Sequence, residues 1–220
     1  MMPMNEKTFY AIIIAIVVVG GIGIGIAYEH PASVSSGSSA TPGPYHLTLA
    51  VFPHLVYNST QTNEPAFFVI SNGTLQSSAN ITVPSHVLID LTIIDYDSGP
   101  GTGTPSSYLN VTGTVGNVVY LTNRTLATGG TTAVGTQNIT VLGNTTMKIS
   151  TMSINDIAHT FTVGGLDGIG QDLNIPVGHG VEFTQFYANN TGKYMWMCHV
   201  PCGPAAMSTM GWMMGNFYVS

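Results

Sequence analysis

From Tyr45 onward the chain is a succession of short runs rich in Val, Ile, Thr, Phe and Tyr, each cut off by Gly, Pro or Asn. The runs are YHLTLAVF, PAFFVISNG, NITVPSHVLIDLTIID, NVVYLT, NITVLG, TMKISTMS, HTFTVGG, GVEFTQFY, KYMWMCHV and GNFYVS. β-branched and aromatic side chains pack well on a pleated surface, and Gly, Pro and Asn end strands in turns. No soluble stretch carries helical spacing. The pattern predicts an all-β fold, a sandwich or barrel.

Two features lie outside that pattern. Residues 9–28, FYAIIIAIVVVGGIGIGIAY, are 20 residues without a charge, enough for a helix to cross a hydrocarbon layer of about 30 Å. They predict an uncleaved single-pass anchor over residues 1–29, because a signal peptide has a shorter apolar region and a clear small-residue cleavage site. Lys7 before the span and Glu29 after it favour an inside amino terminus and an extracellular carboxyl-terminal domain. Sequons at Asn58, Asn72, Asn80, Asn110, Asn123, Asn138, Asn144 and Asn189 agree with that side and with a glycoprotein. Residues 30–44 (HPASVSSGSSATPGP) read as a flexible linker, with the folded domain spanning 45–220. Within it, the Gly- and Thr-rich segment 98–143 reads as an insertion carrying an extra hairpin or two.

Charge narrows the function classes. Only 6% of residues are charged, with four Lys and Arg in all. No basic patch can neutralise phosphates, so nucleic acid is excluded as a partner. So few carboxylates leave little to lose on acidification, and an acidic exterior is the expected setting. Paired carboxylates spaced for acid–base work and a catalytic triad are missing from the pattern, and the glycines of GGIGIG lie inside the apolar span, so they form no dinucleotide loop.

The chemistry concentrates at the carboxyl end. YMWMCHVPCGPAAMSTMGWMMGNFYVS (residues 194–220) holds both cysteines and six of the eleven methionines. Strand alternation puts Tyr194, Trp196 and Cys198 on one face and Met195, Met197 and His199 on the other, so Cys198 and His199 diverge. Cys202 follows four positions after Cys198, and Met207, Met210, Met213 and Met214 lie in the loop before the last strand. Soft thiolate and thioether donors combined with an imidazole select copper. The imidazole best placed to join them is His159, in INDIAHTFTVGG, at the start of a strand expected beside the Cys-bearing one. A Cys198–Cys202 disulfide with a methionine-packed core is the competing reading, favoured by an oxidising compartment.

The series NDIAHTFTV, LNIPVGHGVEFTQF, GKYMWMCHVPCG and MMGNFYV resembles the cupredoxin domain of subunit II of haem–copper terminal oxidases, particularly the short kind with one amino-terminal transmembrane helix. More distantly it is similar to sulfocyanin, the anchored blue copper protein of acidophilic archaea. The likeness covers residues 155–220 well, the anchor in kind, and PAFFVISNGTLQSSANITVPSHVLIDLTI as an opening pair of strands; 98–143 has no counterpart. It implies a cupredoxin-like Greek-key β-sandwich with an N-terminal transmembrane helix. It also implies a metal site of His159, Cys198 and Cys202, with the Val200 carbonyl as a backbone ligand. The family's second His falls on Ala206 and its Met on Thr209, neither a copper ligand; lengthening the loop puts Met207 and Met210, or Met210 and Met213, in those places. A thioether in place of imidazole favours Cu(I). The resemblance therefore implies a CuA-like centre, a mononuclear copper, or a copper site lost as in quinol oxidases. The implied partners are a haem-containing subunit I, other membrane subunits, and a quinol or copper-protein donor. A freestanding copper carrier and a metal-free surface glycoprotein or accessory subunit are the alternatives.

Overall fold

The structure, a computed structural model, describes residues 43–53, 64–97, 99, 101–122, 137–141, 144–166 and 172–220. The anchor, nearly all of the linker and the sequons at Asn58 and Asn123 lie outside the described residues. Among the described residues no helix is long and apolar enough to cross a membrane.

The expected strands form. They are β1 (Tyr45–Phe52), β2 (Ala66–Ser71), β3 (Thr74–Ser77), β4 (Asn80–Val83), β5 (Leu88–Asp95), β6 (Val119–Thr122), β7 (Gln137–Val141), β8 (Asn144–Ile149), β9 (His159–Val163), β10 (Leu173–Val177), β11 (Gly180–Tyr187), β12 (Gly192–Met197) and β13 (Met214–Val219). The run NITVPSHVLIDLTIID is divided: Pro84, which has no N–H for a ladder, falls between β4 and β5. The hairpin of β2 and β3 escaped the sequence reading, although its Asn72–Gly73 turn is a strong hairpin signal. Both residues take positive φ, 50° and 73°, as a two-residue turn with primed geometry requires.

Two sheets result, of order β3-β2-β1-β5-β11-β6-β8-β7 and β10-β9-β12-β13-β4. Most neighbours are antiparallel, but β1 runs parallel to β5 and β13 parallel to β4. Segment 98–143 contributes β6, which pairs with β11, and β7, which pairs with β8 at the sheet edge. Its two short 3-10 turns, Ser106–Leu109 and Val115–Asn117, are the only helical pieces among the described residues. A bridge from Thr112 to Asn174 ties this segment to β10, through N–H to carbonyl bonds of 3.0 Å in each direction.

The core draws one face from each sheet: Leu49, Ile89, Leu91 and Phe186 from the larger, Phe161, Trp196 and Phe217 from the smaller, all essentially inaccessible. Each such side chain contributes about 1.5–3 kcal/mol through burial. Trp196 stands at the centre, edge-on to Phe67 at 5.4 Å and tilted against Phe161 at 5.5 Å. Its indole N–H donates to the Ser78 carbonyl at 2.9 Å, so its one polar atom is satisfied inside the core.

Candidate metal centre

β9 and β12 are antiparallel neighbours, with Trp196 opposite Val163 and Met197 opposite Thr162. The start of β9 and the end of β12 therefore share one end of the sheet. That register places His159 beside Cys198, although 39 positions separate them along the chain. The alternation expected for β12 holds: Trp196 and Cys198 are buried, while Met195 is exposed.

Three side chains converge there. His159 Nδ1 lies 3.3 Å from Cys202 Sγ and 4.0 Å from Cys198 Sγ, and the two sulfurs are 3.6 Å apart. Both cysteines are free thiols. All three residues are buried, at 2%, 0% and 9% exposure respectively for His159, Cys198 and Cys202. Each spacing is shorter than two metal–ligand bonds of about 2.0–2.3 Å laid end to end, so one ion can reach all three donors. The donor set, two sulfurs and one imidazole nitrogen, suits a soft metal such as copper.

The shell around the donors is oriented toward them. The backbone N–H groups of Thr160 and Val200 donate to Cys198 Sγ at 3.3 and 3.4 Å, and the Val200 carbonyl lies 3.8 Å from the same sulfur. Asp97 Oδ2 accepts from His159 Nε2 at 3.0 Å. With a metal bound, that bond would keep the proton on Nε2 and leave the Nδ1 lone pair for the ion, as a metal-ligating imidazole requires. Asp97 is itself placed by its N–H, which donates to Asp95 Oδ1 at 2.8 Å. Glu64 accepts the N–H of Ala206 in the ligand loop, and Gly203, at φ +106°, passes so close to that carboxylate that a Cβ would strike it. A cavity of about 210 Å³ lies on this side, lined among others by Glu64, Asp97, His159 and Cys202.

The methionines divide. Met213 is buried; its carbonyl accepts the Cys198 N–H at 2.8 Å and its own N–H donates to Ala206 at 3.2 Å. Met207 is half-buried against the core, and Met210 is 42% exposed. The structure thus brings His159, Cys198 and Cys202 into one cluster, with Met213 joined to it through backbone. Asp97 and Glu64 were missed in the sequence. An acidic residue just past a strand end, as in IIDYDSG, is the only signal Asp97 gave, and Glu64 gave none.

Without metal, the cluster is charged. Burial opposes a charged imidazole, but the Asp97 hydrogen bond and the Cys198 sulfur outweigh it and raise His159 from 6.5 to about 10. Burial also opposes ionised Cys198, yet hydrogen bonds from Cys202 and His159 hold it well below 9.0. Cys202 moves up, first because it donates to Cys198 and then because it is buried. These directions favour, in the metal-free state, a Cys198 thiolate beside a protonated His159, with the proton of Cys202 directed at the thiolate.

This fixes a pH profile. The raised His159 stabilises the fold fully below 6.5, and that contribution is lost as pH climbs through about 10. The depressed Cys198 stabilises it above 9.0, a contribution lost as pH falls through the folded value. Between 6.5 and 9.0 the two slopes oppose each other. Above 9.0 Cys202 adds a further loss, since only the unfolded chain ionises it. Thermal midpoints of the metal-free protein are expected to fall on the alkaline side of that window; a midpoint still rising at pH 10 contradicts the ion pair.

No protein family and no curated protein matches the chain. Among solved structures, reduced rusticyanin aligns at 14% identity over 91% of this chain and 95% of its own, with a TM-score of 0.31. Rusticyanin from Thiobacillus ferrooxidans aligns at 15% over 91% and 93%, with a TM-score of 0.32. A multicopper oxidase aligns at 14% over 82% of this chain and 45% of its own, with a TM-score of 0.33. With TM-scores this low, the similarities fix neither family nor function.

Proposed function

We propose that this chain is a copper-binding, cupredoxin-like electron-transfer domain, held outside the cell membrane by its amino-terminal anchor. The observation that carries this reading is the convergence of His159 Nδ1 with the Cys198 and Cys202 sulfurs, all within 4.8 Å of one another and buried at one end of the smaller sheet. Copper at such a site supplies reversible one-electron chemistry. The protein's own contribution is to hold the donors: the Thr160 and Val200 amides fix one sulfur, Asp97 fixes the imidazole, and Glu64 with Gly203 shapes the loop bearing Cys202. The aromatic floor of Phe67 and Trp196 keeps water from below; Phe67 meets the His159 ring edge-on at 6.2 Å.

The finer reading is a subunit II-like component of a haem–copper terminal oxidase, with oxygen reduction in a haem-containing partner and electrons arriving from quinol or a copper protein. The resemblance of GKYMWMCHVPCG and its neighbours supports it, as does the run at residues 9–28. Loading the full-length chain with Cu(I), then oxidising it, tests the copper reading by metal analysis and electron spin resonance. One or two tightly held coppers per chain are expected, with the signal showing whether the electron is shared. A chain that retains no copper, or that holds a stable Cys198–Cys202 disulfide in its native state, rejects the reading. Isolation from native membranes with haem separates the oxidase component from a freestanding carrier, which would come away alone.

A further inference from the structure

His159 and Cys198 are at most 2% exposed and Cys202 9%, and the cavity described above borders His159 and Cys202 but not Cys198. An electron that reaches the sealed Cys198 sulfur from elsewhere on the surface must pass through a neighbouring group. The residue covalently next to the thiolate is His199. Its N–H donates to Thr160 Oγ1 at 2.7 Å, which locks its backbone to β9. Its ring lies flat on Tyr108, with centroids 3.6 Å apart and planes 9° from parallel.

Tyr108 comes from the 3-10 turn Ser106–Leu109, in the segment for which the sequence offered no role. The turn is anchored. Asn174 of β10 donates through Nδ2 to the carbonyls of Tyr108 and Asn110 at 3.1 and 2.6 Å, and its Oδ1 accepts from Thr162 at 2.7 Å. Both rings of the stack are partly exposed. An imidazole and a phenol in face contact form a π bridge that begins one peptide from the Cys198 sulfur and ends at the surface. A packing role alone asks for apolar area; it does not ask for a parallel stack built from two anchored strands and a dedicated turn.

We propose that the stacked His199–Tyr108 pair is the electron portal of this site, through which a one-electron donor such as a small redox complex or a haem or copper protein exchanges electrons with metal held at Cys198. The inference rests on the copper reading above. In the exchange the donor is oxidised by one electron and the metal reduced by one; no bond forms or breaks and no proton is needed.

The test uses the copper-loaded full chain and hexaammineruthenium as the redox probe, in wild type and in Tyr108→Leu, His199→Leu and Tyr108→Phe. The two Leu variants are expected to exchange electrons at least about tenfold more slowly, while Tyr108→Phe, which keeps the ring, stays within about twofold. Copper content, absorption spectrum and midpoint potential are expected to stay at wild-type values. Wild-type rates in both Leu variants overturn the portal and place the exchange at the Cys202 face. A spectrum or potential that moves with the rate also overturns it, because the stack then acts by positioning Cys198. A wild-type chain that binds no copper removes the copper reading and the portal together, whereas failure of the portal alone leaves copper bound. The stack is also readable without metal: the His199 ring protons should resonate upfield and lose that shift in Tyr108→Leu, and an unshifted wild-type ring removes the geometric premise.

Discussion

Cys198→Ser is expected to lower copper affinity by about a thousandfold or more, beyond the 10–100-fold typical of losing a group that only orients a ligand. Cys198 is the more consequential of the two thiols for a physical reason. It receives the Thr160 and Val200 N–H groups and the Cys202 proton, so it is the sulfur the fold keeps ionised. A serine hydroxyl does not ionise there and is a hard donor, poorly matched to Cu(I). The substitution also removes the anion facing His159, so the imidazole is expected to titrate lower in the metal-free variant, which an NMR titration reads directly. Cys202→Ser leaves the thiolate and the imidazole in place, and a weaker mononuclear site is the expected result. Copper titration of the two variants checks the order; equal losses mean that the sulfurs are equivalent and that the asymmetry described above is wrong.

Gly215→Ala is expected to destabilise the domain by about 3 kcal/mol or more, a large part of the stability of a typical domain. Gly215 faces Trp196 across the β12–β13 pair. A Cβ there would collide with the indole Nε1 and come within 2.6 Å of the Ser78 carbonyl, the two partners of the buried indole hydrogen bond. Relief requires moving either the central tryptophan or the backbone of another strand, and both lie in a close-packed interior. Denaturant unfolding measures the loss. Gly73→Ala is the control: open space surrounds that position and only its φ of +73° penalises a side chain, so about 1 kcal/mol is expected. A Gly215→Ala variant as stable as this control contradicts the packing described for Trp196.

Much of the fold was legible because strand signals are local. The β-rich runs became strands and the Gly, Pro and Asn breaks fall between them, although facing was less legible: GVEFTQFY alternates with Glu182 and Thr184 buried and Val181 and Phe183 half-buried. Sheet order was not legible, since it depends on pairings such as β1 with β5 and β13 with β4 that no local pattern encodes. At the centre, His159 could be chosen because strand alternation turned His199 away from Cys198 and left one imidazole at the start of a neighbouring strand. Asp97 and Glu64 could not be chosen: a carboxylate becomes part of a ligand shell only through long-range placement, and an acidic residue after a strand end, as at Asp97, is too common a local mark to show it. The methionine loop stayed ambiguous for the same reason. Two spacings, Met207 with Met210 or Met210 with Met213, fit a ligand pattern on paper, whereas burial separates Met213 from exposed Met210.

The two amide groups aimed at the Cys198 sulfur belong to backbone that is already pinned, Thr160 in a fully buried strand and Val200 in the turn that follows β12. Such dipoles do not swing when the charge they face changes. A metal held there can alter its valence while its surroundings stay still, so the reorganisation that slows electron exchange in water is largely avoided by the chain's own rigidity.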